Sequence, residues 1–203
     1  MQVIAEQGDG FAIAEVAAKA GVSHGTFYNY FADRDVLLDA VVAHAVEQFA
    51  AAAAEHVDEP DPAARFAIIS ARALNAAARA PHTMRVAVRL DAVQRALVVD
   101  GPLSYLRLDL AEGYRKKRFT SPPDEGTLDV IVGAMLHATR RVLDGEADAR
   151  YRASVIRRML MSLGLPADEA LRLARHAVAS ALGVGARRHG SIAESIVSPM
   201  RFR

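Results

Sequence analysis

Apolar positions in the first part of the chain recur at helical spacing in short bursts broken by small and polar residues. Between Ala12 and Lys19, Ile13, Val16 and Ala17 form one stripe, which predicts a helix too short to stand alone. Gly21 follows where a helix C-terminus needs a residue tolerant of left-handed dihedrals, and Ser23 stands as an N-cap for a second helix. Winding Ser23 to Phe31 at about 100° per residue puts Ser23, Phe27, Tyr30 and Phe31 on one side. Gly25 and Asn29 lie opposite, with Thr26 and Tyr28 flanking them. Two helices joined by a Gly-containing turn, with a small, polar outward face on the second, match a helix-turn-helix.

The remaining pattern is also helical, which predicts an all-α fold. Asp33 caps a long helix with Asp35 in its first turn, and Val36, Leu37, Ala40, Val41, His44, Ala45 and Phe49 carry a stripe toward Ala54. Glu59-Pro60-Asp61-Pro62 is the clearest break, so the expected division is a head with linker helix over 1–57, a body over 58–184 and a flexible tail over 185–203. Pro62 opens a helix to about Ala80 with Phe66, Ile69, Ala73 and Leu74 on its apolar side, and Pro81 ends it. Thr83 to Val99 carries Met84, Val88, Ala92 and Leu97; after Gly101-Pro102, Leu103 to Phe119 carries Leu103, Leu106, Leu110 and Tyr114. Gly126 to Leu143 carries Leu128, Ile131, Met135 and Leu136. Ala149–Leu163 and Pro166–Leu182 form a terminal hairpin. Its Val155, Ile156, Met159, Leu160, Leu163, Leu171, Leu173, Ala174, Val178 and Leu182 offer more apolar surface than the domain needs, and the excess is expected to meet a partner.

Composition narrows the class. At 203 residues and 52% hydrophobic content the chain can bury a real core. No apolar run approaches the roughly 18 residues of a membrane span and no signal-peptide pattern opens the chain, so a cytoplasmic location without membrane partners is expected. Zero cysteines exclude disulfides, thiolate zinc sites and cysteine nucleophiles. No Gly-rich phosphate loop follows a strand, and no His-x-x-x-His or Glu-x-x-His pattern occurs, so neither an enzyme nor a metal or other cofactor is expected. Isolated His44 and His56 read as surface or packing residues. Arg115-Lys116-Lys117-Arg118, the one dense basic run, reads as solvated cations favoured by a helix C-terminus. Residues 1–48 hold Lys19 and Arg34 against seven acidic side chains, which opposes nucleic-acid affinity built on phosphate neutralisation.

The segment GVSHGTFYNYFADRDVLL resembles the recognition helix and following linker helix of the TetR family of transcriptional regulators, and the likeness runs from Ile13 to Leu38. The resemblance implies that Ser23, Tyr28, Tyr30 and Arg34 contact phosphates while His24, Gly25, Thr26 and Asn29 face base edges. Hydroxyls and a guanidinium position a duplex without reading it, an amide pairs with adenine, and the missing Cβ of Gly25 permits close approach. The resemblance also implies a repressor that leaves a palindromic operator in double-stranded DNA when a small apolar effector enters the body. Candidate lining is Met84, Val88, Tyr105, Tyr114, Met135, His137 and Arg140. A two-fold homodimer would form through the terminal hairpin, with Val155, Ile156, Met159, Leu160, Leu163, Leu171, Ala174, Val178 and Leu182 at the contact.

Two departures from the family pattern set up a competing reading. Residues 1–7, MQVIAEQ, resemble only the last two turns of the family's first helix, so a truncated or misassigned start is expected, and Ala12 stands where a capping Ser or Thr is usual. With the acidic head, these features keep open a degenerate relative that retains fold and dimer but acts as a ligand- or protein-binding module without an operator.

Overall fold

The structure is a computed structural model that describes residues 12–79, 81, 84 and 104–185, with the side chains at 45, 47–50 and 183–185 left aside. The fold is all-α. Eight helices appear among the described residues: α1 (Ile13–Ala20), α2 (His24–Tyr30), α3 (Arg34–Ala54), α4 (Pro62–Arg79), α5 (Ser104–Arg115), α6 (Glu125–Leu143), α7 (Ala149–Ser162) and α8 (Ala167–Gly185). Val3 and Ile4, most of the expected Thr83–Val99 helix including Val88, and the tail beyond Gly185 lie outside the described residues.

Local chemistry sets the element ends. Gly21 terminates α1 at φ 70°, and its N–H returns to Ala17 and Ala18 carbonyls. Asp33, Asp124 and Asp148 each accept the backbone N–H three residues on, from Val36, Thr127 and Tyr151, and so start α3, α6 and α7. Helix α5 ends at Arg115, four residues short of the expected Phe119. Lys117 takes φ 57°, and the Arg118 and Phe119 amides both donate to the Gly113 carbonyl. This reversal folds the buried Phe119 ring across Gly113, where a Cβ would collide with the ring.

The helices enclose two apolar clusters. In the head, Ala17, Phe27, Leu37, Val41 and Val42 are buried, with Ile13, Val16, Val22, Phe31 and Leu38 packed around them. The body is built on α4, whose buried stripe of Ala63, Phe66, Ala67, Ala71, Leu74 and Ala77 faces α7 and α8. Its small residues leave room for both helices, and Asn75 Nδ2 donates to the Ala181 carbonyl at 2.9 Å. Val46 and Leu136 each pack against both clusters, which joins head to body through α3 and α6. No helix among the described residues is long and apolar enough to cross a membrane.

Ion pairs fasten the far side of the body. Arg118 bridges Asp61, ahead of α4, and Glu169, in the first turn of α8. Arg65 pairs with Asp109 and Glu112 of α5 and donates to the Glu59 carbonyl. The hydrogen bond from Arg118 holds the Asp61 carboxyl below its ordinary range, whereas burial raises that of Asp109 against the pull of Arg65. Reading the basic run as solvated therefore fails for Arg118, which is largely covered and doubly paired, and Lys116 pairs with Glu112.

Candidate nucleic-acid interface

Helix α2 takes its position from one buried residue. Phe27 is only 4% exposed, touches Phe31 with ring centroids 5.4 Å apart, and sits among Ala17, Leu37 and Val41. Burying this face turns the rest of the helix outward. Ser23, His24, Gly25, Asn29 and Tyr30 are exposed, as is Tyr28 at 46%, while Thr26 and Arg34 are half-buried. The aromatic residues Tyr28 and Tyr30, with 63% of Tyr30 accessible, thus stand on the surface without a core to fill. A polar helical face with flanking phenols suits a duplex groove: the helix enters and the hydroxyls meet the backbone.

Internal contacts divide the eight expected DNA residues. Ser23 caps α2, accepting the Thr26 N–H at 3.0 Å, and the two hydroxyl oxygens lie 2.7 Å apart. The Thr26 hydroxyl is thereby engaged by the cap. The His24 ring meets Tyr28 edge-on with centroids 5.0 Å apart. Gly25 and Asn29 remain on the open face one helical turn apart, and a Cβ at Gly25 would meet only Ser23 Oγ at 3.9 Å. Ala12, the cap position of α1, makes no side-chain cap hydrogen bond.

The residues expected around an effector differ in burial, and Val88 lies outside the described residues. Met84 is buried and Met135 half-buried in the body core, but Tyr105, Tyr114 and His137 are exposed, and Arg140 is half-buried. Burial also redraws the expected dimer contact. Ile156, Met159, Leu160, Leu163, Ala174 and Val178 belong to the chain's own core because α4 packs against both α7 and α8. Within the single chain these six are buried, with Val178 keeping 6% exposure. Val155 and Leu171 are half-buried, and Leu182 is 47% exposed.

Sequence reasoning missed the joint between the clusters, where Leu136 of α6 reaches the head core. Its apolar character was visible, but a contact with a helix some ninety positions earlier leaves no local signal.

Residues 1–41 match the family model described as bacterial regulatory proteins, tetR family. No curated protein matches the chain. Among solved structures, the chain is similar to RolR without ligand, at 27% identity and TM-score 0.71, covering 85% of this chain and 90% of that one. It is also similar to RolR in complex with resorcinol, at 27% identity and TM-score 0.56, covering 85% and 87%.

Proposed function

We propose that the chain, whose residues 1–41 match the tetR-family model and whose fold is similar to that of RolR, is a regulator of that type, a repressor that binds a palindromic operator as a homodimer. The observation that carries this reading is the outward face of α2, where Gly25 and Asn29 stand between exposed Tyr28 and Tyr30 on a helix fixed from behind by Phe27. Tyr28, Tyr30, Ser23 and Arg34 would hold the phosphates, and Asn29 would read a base edge. The half-exposed Val155, Leu171 and Leu182 would supply the apolar part of the dimer contact, and two heads would then meet two half-sites.

We further propose that a small, largely apolar effector enters the body and releases the operator. RolR has been crystallised with resorcinol, so a phenol of that size is the first compound to try. Release requires that the effector bind two dimer states unequally, with a coupling of about 1–3 kcal/mol. Val46 and Leu136, each in contact with both clusters, offer a route for that coupling.

Fluorescence-anisotropy titration against DNA flanking the chain's own gene, over a salt series, tests the reading. Tight, salt-dependent binding with a clear preference over scrambled duplex is expected. Failure to bind that DNA, or anything from a random-sequence pool, overturns it. The second reading, a ligand- or protein-binding module without an operator, is favoured by one observation: two basic against seven acidic side chains in residues 1–48.

A further inference from the structure

Tyr28 is an exposed aromatic residue with ring contacts on two sides. Phe27 meets it edge-on at 5.6 Å between centroids and an interplanar angle of 87°. His24, one turn earlier on the same side of α2, meets it at 5.0 Å and 75°. A long helical side chain leans back over the residues three and four positions before it, so Tyr28 naturally lies toward His24. Phe27 is buried and fixes one wall, while His24 is itself exposed and has Tyr28 as its ring partner.

We propose that His24 is a positioning residue that holds the Tyr28 phenol for its phosphate contact, and that it does not read a base. The inference rests on the DNA-binding reading above. An exposed tyrosine would otherwise divide its time between helix-allowed rotamers and lose that freedom on meeting a phosphate. Packing His24 against it removes part of this loss in advance. The imidazole would have to leave the phenol to reach into the groove, so the work of His24 is done before DNA arrives. The Thr26 hydroxyl is engaged with Ser23 in the same way. Direct hydrogen-bonded readout by α2 is then concentrated on Asn29, with Gly25 giving clearance.

The test compares His24→Ala, His24→Phe, Tyr28→Ala and the His24→Ala/Tyr28→Ala double variant on the selected duplex and on duplexes mismatched at each position. His24→Ala should weaken all duplexes about three- to ten-fold, the scale of one lost aromatic pair. His24→Phe, which keeps a ring but loses both nitrogens, should restore binding, and His24→Ala should have no further effect in the Tyr28→Ala background. A change of preference at one base pair in both His24 variants, or additive losses in the double variant, overturns the proposal. Ring-labelled NMR of Tyr28 in the free protein decides the point without DNA. One rotamer is expected in wild type and His24→Phe, with averaging in His24→Ala; equal averaging in all three overturns the proposal. Absence of DNA binding by wild type would remove the operator reading and leave this rotamer result standing.

Discussion

Arg118 forks onto Asp61: its Nε and Nη2 donate to the two carboxylate oxygens at 2.7 and 3.1 Å, and Nη2 also reaches Glu169 at 2.6 Å. One side chain thus ties the segment after α5 to the start of α4 and the first turn of α8. Planar, two-point pairing of this kind is specific to a guanidinium. Arg118→Leu should cost about 2 kcal/mol in urea unfolding, because two partly covered carboxylates lose their cation together. Arg118→Lys should recover less than half of this. A loss within experimental error for both variants would reduce the fork to a surface contact.

The same pair fixes the sign of an acid response. Arg118 and the Ala63 amide lower the folded-state pKa of Asp61 below its unfolded value. The resulting stability is present above the unfolded carboxylate range, near 4, and is lost as pH falls through the depressed folded value. Asp61→Asn keeps an oxygen for the Ala63 amide but removes the charge. Its unfolding free energy should fall less steeply than that of wild type between pH 4 and pH 2. Parallel curves would assign the acid response to other carboxylates.

How much of this was legible in the sequence depended on range. The caps at Ser23 and Asp33 and the turn at Gly21 bond within three or four residues, so residue type and spacing announced them. The partners of Arg118 lie 57 and 51 positions away, and a basic run looks alike whether solvated or paired. The hairpin stripe was recognisably apolar, yet only the placement of α4 shows that Ile156, Met159 and Leu160 turn inward. In the interface, the resemblance assigned His24 and Thr26 to base edges, but it carried no sign that a neighbouring ring and hydroxyl would engage them.

Gly164 provides a test of backbone fit. It adopts φ +98°, and an added Cβ would collide with Thr120 Oγ1 and Cβ. The Thr120 amide donates to the Leu163 carbonyl at 2.9 Å, so the loop cannot simply move away. Gly164→Ala should destabilise by about 2 kcal/mol, combining left-handed strain with overpacking. Adding Thr120→Ala, which removes the colliding Oγ1 but keeps the backbone bond, should relieve only a minor part, since the dihedral penalty and the contact with the Thr120 Cβ position remain. Full rescue by Thr120→Ala would show that the collision with Oγ1 alone carried the cost.

Leu136 lies half-buried on α6 and packs against both the head cluster and the body core. The head is small, with five buried apolar side chains among the described residues, and a cluster of that size gains from every neighbour it can borrow. Leu136→Ala removes three carbons from the junction. A fully buried leucine loses about 2–5 kcal/mol on such truncation, and a half-buried one should lose roughly 1 kcal/mol. The loss should fall unevenly. Amide hydrogen exchange at Phe27 and Leu37 should quicken about five-fold, while amides in the middle of α7, such as Ile156, keep their wild-type protection. Equal acceleration in α2 and α7 would mean that head and body open as one cooperative unit. Unchanged exchange in α2 would mean that the head is held by its own core and that Leu136 is not a route between effector and operator. A selective effect would predict that Leu136→Ala binds operator somewhat more weakly and responds less to effector, because the element that relays strain into α3 would be the one loosened.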